Sequence, residues 1–303
     1  MAEARRGLLL GVAAYAMWGL FPLYWPLLEP AGAVEILAHR IFWSAAVMLA
    51  VLVGTSRSLR NVLREPRTRR ILALAAVLIA VNWGTYIWGV NNGHVVETSL
   101  GYFINPLVTV LMGVVLLGER LRRLQWSALG MACLAVIGLT VDYGHPPWIA
   151  LVLAFSFGSY GLAKKKADAG AVESVTFETV LLAPVALAYL AYLGAVGQSQ
   201  FTGSGPGEEA LLASTGLVTA VPLLCFGASA TRIPLTTIGL LQYLTPTIQF
   251  VIGVAVYHEP MPAMRWAGFA LVWVALVVFS VESLLHRRQR QRQLALVAEA
   301  SAA

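Results

Sequence analysis

The chain has 303 residues, of which 58% are hydrophobic and 12% charged, and its formal net charge is +6. Soluble domains carry about 25% charged residues, and a soluble fold this apolar could not cover its surface with polar groups, so the composition excludes a soluble protein. The basic excess does not indicate nucleic-acid binding, because the basic residues lie in short clusters between apolar runs and not on one folded face.

Ten apolar runs follow one another along the chain, and each is long enough to cross about 30 Å of hydrocarbon as a helix. The runs, numbered below as spans one to ten, cover residues 7–27, 34–54, 71–91, 97–117, 124–141, 147–164, 173–194, 210–230, 235–257 and 264–285. Span six is the weakest, because it is short and ends in three lysines. The alternation of a transmembrane barrel is absent, so we predict an all-α membrane protein with ten transmembrane helices.

The distribution of lysine and arginine predicts the orientation, because basic loops stay on the cytoplasmic side. With the N-terminus inside, all but two of the 21 basic residues fall in cytoplasmic segments, the exceptions being Arg265 outside and Arg40 within span two. One span more or fewer would destroy this bias, so it supports an even number of spans with both termini cytoplasmic. The basic tail from His286 is expected to lie against anionic lipid.

The two halves of the chain resemble each other at an offset of 140 residues. The residues Leu100, Pro106, Gly113, Val114, Glu119 and Trp126 match Leu240, Pro246, Gly253, Val254, Glu259 and Trp266. Each half has five spans, an odd number, so the second half enters the membrane inverted, as in alternating-access transporters. We predict a first repeat at residues 1–143, a second at 144–285 and a basic cytoplasmic tail at 286–303.

Arg40 is the first candidate for a functional residue, because a charge within a span is costly and usually faces a polar interior. Inversion separates it along the membrane normal from its approximate counterpart, Glu178. Its expected neighbours lie where spans three and four meet, and these are Asn91, Asn92, His94 and Glu97. A substrate or gating role for Arg40 is weighed against a structural ion pair or carbonyl cap. Nearer the outer surface, Glu35 and His39 are interpreted as a helix-stabilising pair in preference to a proton site.

Span three carries asparagines and amphipathic aromatic residues that would be poorly placed against lipid alone. Asn82 and Tyr86, one turn apart and deep in the span, are predicted to line a cavity, with interhelical hydrogen bonding as the alternative. Asn91, at the outer end of the same span, is also predicted to bind substrate or to take part in gating.

Matched prolines in spans four and nine, Pro106 and Pro246, point to a binding site between the halves. A proline frees the carbonyl one turn earlier and kinks the helix, and polar residues precede both prolines. These are Tyr102 and Asn105 in the first half and Gln242 and Tyr243 in the second. Paired interruptions of this kind mark substrate sites in transporters built from inverted repeats, with simple packing kinks as the alternative.

Motifs for catalysis and metal binding are missing from the sequence. No HExxH, GxSxG or P-loop motif occurs, so neither an enzyme nor an ATP-driven pump is predicted. Cys133 and Cys225 lie alone within apolar runs, so no disulfide framework, metal site or cofactor is predicted. Transport would be facilitated or driven by an ion gradient, and proton coupling is left open.

Six segments together resemble the RarD group of EamA-type permeases, in the drug/metabolite transporter superfamily. They are 35–40 (EILAHR), 91–94 (NNGH), 99–106 (SLGYFINP), 118–120 (GER), 160–164 (YGLAK) and 241–246 (LQYLTP). The resemblance covers nearly the whole chain. It implies ten helices in two EamA repeats, a bacterial inner-membrane location, and a cavity lined by spans one to four and six to nine, with spans five and ten peripheral. The smallest superfamily members couple export to protons through a glutamate in the first helix, and span one here contains no acidic residue.

The resemblance and the inverted repeat imply a permease that exports small amphipathic or aromatic metabolites or drugs by alternating access, since the group is labelled as chloramphenicol-related. Aromatic residues in spans one, three and four motivate the substrate class. A membrane scaffold or sensor without transport is the alternative. The expected partners are a small-molecule substrate and the lipid bilayer, without nucleic acid, and the chain is expected to be a monomer or a homodimer.

Overall fold

The computed structural model describes residues 2–117, 121–167, 169–201, 205–230 and 232–302, and this part of the chain is helical without strands. The α-helices, numbered in chain order, are α1 (Ala2–Gly19), α2 (Phe21–Tyr24), α3 (Ala33–Gly54), α4 (Arg60–Arg64), α5 (Pro66–Asn91), α6 (Val95–Leu117), α7 (Arg123–Tyr143), α8 (Trp148–Ala167), α9 (Ala171–Ala195), α10 (Pro206–Ala230), α11 (Leu235–Leu241), α12 (Leu244–Ala255) and α13 (Ala263–Ala302). A 3₁₀ helix, Trp25–Leu28, follows α2. Glu119 of the predicted repeat lies outside the described residues.

Eight of the ten predicted spans correspond to helices that are long and apolar enough to cross a membrane. Span one is instead a bent pair, in which Glu3–Gly19 and Phe21–Leu28 meet at 46°. Span six is a shorter apolar helix, Trp148–Lys164. Span nine, Thr237–Ala255, is counted among these eight, and a turn at Gln242 and Tyr243 divides it into α11 and α12.

The bend in span one has a local cause in two prolines. Pro22 begins α2 and Pro26 lies in the 3₁₀ helix, and a proline removes the N–H that would continue an α-helical ladder. Two large rings of this segment are buried, since Phe21 of α2 is 6% exposed and Trp25 of the 3₁₀ helix is 0% exposed. The bend therefore supplies part of the wall of the site described below.

The chain divides into two compact units, Met1–Tyr102 with Ile149–Pro260, and Phe103–Trp148 with Met261–Ala303. In the second unit α7 packs along α13, and the Nε of Arg265 donates to Asp142 at 3.1 Å. Spans five and ten therefore belong to the same unit. In the first unit α3 packs against α9 and α10, and α1 packs against α10 and α12.

The contact between α3 and α10 depends on a glycine. A Cβ atom built on Gly216 of α10 would lie 2.6 Å from the backbone carbonyl carbon and oxygen of Trp43 in α3. Small residues at such points let two helix backbones approach closely. The same stretch of α10 carries Thr219, which contacts Arg40, so this close approach sets the geometry of the site.

Replacing Gly216 with alanine is expected to destabilise the protein by about 2 kcal/mol, because the added methyl group must push two backbones apart. The thermal unfolding midpoint of the purified protein in detergent measures the effect. Gly227→Ala is the matched control, since it lies on the same helix with no atom within 4 Å of the added Cβ. Equal midpoints for the two variants would contradict the close-packing interpretation.

Candidate functional site

Arg40 lies in α3 with its side chain enclosed by four residues from other elements of the first unit. Its Nε donates a hydrogen bond to the Oγ1 of Thr219 at 3.0 Å. Its guanidinium carbon lies 4.0 Å from the ring centroid of Trp83, 5.0 Å from that of Trp25 and 5.6 Å from that of Phe21. We call Arg40, Thr219, Trp83, Trp25 and Phe21 the Arg40 cage. The cage joins span two to spans one, three and eight, so both sequence halves contribute to it.

The Arg40 cage holds a positive charge that is 3% exposed. The Nη1 of Arg40 is buried without a hydrogen-bond partner, and no salt bridge to Arg40 exists among the described residues. Burying an unpaired ion costs several kcal/mol, whereas each aromatic face returns about 0.5–2 kcal/mol. The three rings therefore offset part of the cost and leave Arg40 as a cation without a protein counter-ion.

The contacts that the structure shows for Arg40 are to Thr219, Trp83, Trp25 and Phe21, and none of these is a residue expected from the meeting point of spans three and four. The amide of Asn92 donates to the carbonyl of Trp88 at 2.8 Å, and the ring of His94 stacks on Trp88. Glu97 accepts from the N–H of Ile149 at 3.0 Å, at the start of α8. A carboxylate at a helix N-terminus is stabilised by the unpaired N–H groups there. Glu97 therefore caps the start of α8. Asn91 has a buried Oδ1 without a partner.

Tyr86 lies in the same buried cluster as Phe21 and Trp25 of the cage, and Tyr24 and Tyr102 pack against that cluster. The hydroxyl of Tyr24 donates to the carbonyl of Leu211 at 3.0 Å. The hydroxyl of Tyr86 accepts from the Nε2 of Gln249 at 2.9 Å, and the rings of Tyr86 and Tyr102 meet edge to face at 5.7 Å. The structure therefore brings two of the predicted site residues, Tyr86 and Tyr102, to the surroundings of Arg40.

Asn82 forms hydrogen bonds between helices and is 1% exposed. Its Nδ2 donates to the carbonyl of Leu153 at 3.1 Å and to the Oγ of Ser156 at 3.0 Å, and its Oδ1 accepts from the hydroxyl of Tyr102 at 3.1 Å. These bonds join α5, α6 and α8. The alternative named for Asn82, interhelical hydrogen bonding, describes it better than a cavity-lining role, and Asn82 acts on the site by holding Tyr102.

The two matched prolines have different local structures. Pro246 lacks an N–H, so the carbonyl of Gln242 is freed, and the helix is interrupted at Gln242 and Tyr243. Gln242 and Tyr243 are partly exposed at this interruption. Pro106 lies inside α6, which runs without interruption, and the hydroxyl of Thr109 donates to the carbonyl of Asn105 at 2.9 Å. Asn105 and Pro106 belong to the second unit.

Contacts between the two sequence halves occur at the end predicted to face outward. Glu259 accepts from the N–H groups of Val95 and Val96 at 2.5 and 2.9 Å, at the start of α6. Glu35 accepts from the N–H of Gln200 at 2.8 Å. These carboxylates satisfy backbone donors of the opposite half, which fixes loops and helix ends together.

The predicted Glu35–His39 pair is not formed, because Glu35 binds the backbone of the loop after α9. His39 instead packs its ring on Phe201 of that loop, with centroids 4.9 Å apart.

At the opposite end, the acidic residues of α9 have basic partners of their own. The Nζ of Lys164 donates to Glu178 at 2.8 Å, and the hydroxyl of Tyr160 donates to the same carboxylate at 3.0 Å. Arg57, after α3, pairs with Glu173 at 3.2 Å, which connects the two halves. Glu178 is thus neutralised by Lys164 and is no counter-ion for Arg40.

Sequence reasoning missed four residues of the Arg40 cage, namely Phe21, Trp25, Trp83 and Thr219, and it missed Gln249, which binds Tyr86. Gln249 is the second glutamine of apolar span nine, and this signal could have identified it, whereas Thr219 is one of several hydroxyl residues of span eight and is not distinguished by the pattern. Trp25 lies near the end of span one, where a tryptophan is typical of an interfacial belt, so its inward position could not be read from the pattern. No group of three potential metal ligands occurs within the described residues.

Comparison with known proteins assigns the chain to a family. A model of the EamA-like transporter family matches residues 5–141 and again residues 147–281. The chain is 57% identical to Protein RarD of Streptomyces exfoliatus, over 96% of this chain and 93% of that protein. It is 32% identical to the "Chloramphenicol-sensitive protein RarD" of Pseudomonas aeruginosa, over 96% of this chain and 99% of that protein. A crystal structure at 18% identity matches 90% of this chain and 96% of its own with a TM-score of 0.56, which shows a shared fold.

Proposed function

Since the chain belongs to the RarD group of the EamA-like transporter family, we propose that it is a permease that exports small amphipathic or aromatic metabolites or drugs by alternating access. It is a multi-pass protein of the bacterial inner membrane, as the resemblance predicted. The name of one relative refers to chloramphenicol sensitivity, and this supports an amphipathic aromatic compound as cargo.

The observation that carries the proposal is the Arg40 cage. A buried cation without a protein counter-ion is retained in a membrane protein chiefly at a functional position. Aromatic faces surround it on three sides, and such faces bind flat or amphipathic molecules. We therefore place the substrate beside Arg40, with Tyr86 and Tyr102 as further contacts and Asn82 as the residue that positions Tyr102. Asn91, Asn105, Pro106, Gln242, Tyr243 and Pro246 stay predicted gating or binding residues.

The proposed architecture has ten spans in two inverted repeats, at residues 1–143 and 144–285, with both termini cytoplasmic. Contacts between the halves support alternating access, because they occur at both predicted ends of the first unit. Glu259 with α6 and Glu35 with Gln200 are the outer contacts, and Arg57 with Glu173 is the inner one. Opening either end would require one set of contacts to break while the other holds.

Counterflow in proteoliposomes tests the proposal. Vesicles loaded with an unlabelled compound should accumulate the labelled form only when the protein exchanges it. The panel contains aromatic amino acids, aromatic carboxylates, nucleosides and chloramphenicol, with protein-free vesicles as the control. Saturable exchange of at least one member is expected, and exchange of none would overturn the proposed substrate class.

Catalysis, a cofactor and a scaffold role form no part of the proposal. The named relatives lend no support to a scaffold or sensor without transport. Proton coupling and the choice between monomer and homodimer are separate from this proposal.

A further inference from the structure

The surroundings of Arg40 contain an excess of hydrogen-bond donors. The Nη1 of Arg40 is buried without a partner, and the Nε1 of Trp25, whose ring lies against the guanidinium, is likewise buried without one. Trp25 is 0% exposed, so solvent does not satisfy its N–H. An N–H directed at an aromatic face gains less than a true hydrogen bond. Two neighbouring residues therefore each lack an acceptor.

Three tyrosine hydroxyls and the Thr219 hydroxyl near the cage already form hydrogen bonds, while the buried Oγ of Ser44 and Oε1 of Gln249, which have no partner, are uncharged oxygens. The hydroxyl of Tyr24 donates to Leu211, that of Tyr86 accepts from Gln249, and that of Tyr102 donates to Asn82. The hydroxyl of Thr219 donates to the carbonyl of Thr215, and its oxygen accepts from the Nε of Arg40. What the cage lacks is an acceptor that also carries negative charge.

Charge balance limits that acceptor to one negative charge. Arg40 is the one lysine or arginine that is more than nine-tenths buried in the part of the chain that the structure describes. Lys164, the next most enclosed amine near the bundle interior, is already paired with Glu178. A dianion would leave an uncompensated negative charge in an apolar surrounding, which is as unfavourable as the unpaired cation. A carboxylate matches the planar fork of a guanidinium and neutralises it.

We propose that the Arg40 cage binds the carboxylate of an organic monoanion whose aromatic body lies against Trp83 and Tyr102, both of which are partly exposed. The carboxylate oxygens accept from the Nη1 of Arg40 and from the Nε1 of Trp25. This inference rests on the proposed transport function and adds to it the charge of the cargo.

Competition in the counterflow assay tests the charge of the cargo with matched pairs of compounds. The pairs are 4-hydroxyphenylacetate with 4-hydroxyphenylacetamide, and indole-3-acetate with indole-3-acetamide, each added against a panel member that the protein exchanges. The acid is expected to compete at least about 10-fold more tightly than its amide, because the amide carries no charge. Phenyl phosphate, a dianion at pH 8, is expected to compete less well than the acids.

Each outcome is decisive. Equal competition by acid and amide, competition by neither, or stronger competition by phenyl phosphate would overturn the inference and leave the transport function standing. Absence of exchange for every panel member would instead overturn the proposed substrate class, on which the inference rests.

Two variants test whether the preference for the acid over the amide arises at the Arg40 cage. Trp25→Phe keeps an aromatic ring and removes the N–H, so it should weaken competition by the acid about fivefold and competition by the amide less. Arg40→Met keeps the length of the side chain and removes the charge, so the acid should fall to the level of the amide. Thermal unfolding midpoints close to that of the unmodified protein would show that both variants are folded, and an acid preference that survives in Arg40→Met would place the anion elsewhere.

Discussion

Replacing Arg40 with alanine is expected to lower the rate of transport about 100-fold at limiting substrate, while the protein still reaches the membrane. A 100-fold loss corresponds to about 2.7 kcal/mol, within the range of 2–5 kcal/mol that truncation of one partner of a buried charged pair costs. The initial rate of counterflow per mole of reconstituted protein measures it. The variant also loses the cation–π contacts with Trp83, Trp25 and Phe21, so its thermal unfolding midpoint must be measured alongside.

Two further substitutions separate the role of Arg40 from a general effect of charge. Arg40→Lys keeps the charge but not the planar fork, so an intermediate loss of transport is expected. Arg60→Ala removes an exposed arginine that lies outside the Arg40 cage, and exposed charges contribute little, so near-normal transport is expected. Normal transport by Arg40→Ala would remove Arg40 from the substrate site.

The sequence alone predicted Arg40 but not what surrounds it. The cost of a charge in a span is a local property, and it identifies the residue without knowledge of the fold. Its partners depend on which way each helix is rotated and on how span one bends. Pro22 and Pro26 signal an interruption, but they do not specify that Phe21 and Trp25 turn toward Arg40.

The carboxylates illustrate the same limit. Glu97 and Glu35 looked like partners for nearby polar side chains, but in the structure both accept from backbone N–H groups. Helix starts and loops offer unpaired donors that no side-chain pattern reveals, and a buried carboxylate is stabilised by them. The repeat was more informative, since Glu259 was singled out by its match in the first half and proves to hold the start of α6.

The hydrophobic pattern identified the membrane segments more reliably than it identified their breaks. Eight predicted spans coincide with long apolar helices. The matched prolines suggested equivalent kinks, yet α6 continues through Pro106 while the helix before Pro246 is interrupted. A proline frees one carbonyl, and whether the helix then breaks depends on what satisfies that group.

If the cargo is a monoanion that moves alone, an inside-negative membrane potential is expected to drive it outward to a steady gradient of about 50-fold per 100 mV. Moving one elementary charge through 100 mV changes its free energy by about 2.3 kcal/mol, and about 1.4 kcal/mol corresponds to each factor of ten. The charge of Arg40 does not enter this balance, because the protein returns to its starting state in each cycle. Labelled 4-hydroxyphenylacetate in proteoliposomes, with a potassium diffusion potential set by valinomycin at pH 8, provides the measurement.

The response to potential also decides whether protons are coupled to transport. Symport of one proton with the anion would be electrically neutral, so the gradient would follow the pH difference and ignore the potential. Exchange of the anion for an entering proton would respond to both. Protein-free vesicles correct for passage of the protonated acid through lipid, and the neutral 4-hydroxyphenylacetamide should show no dependence on potential. A gradient of the acid that follows neither force, with exchange intact, would contradict the movement of a charged cargo through the Arg40 cage.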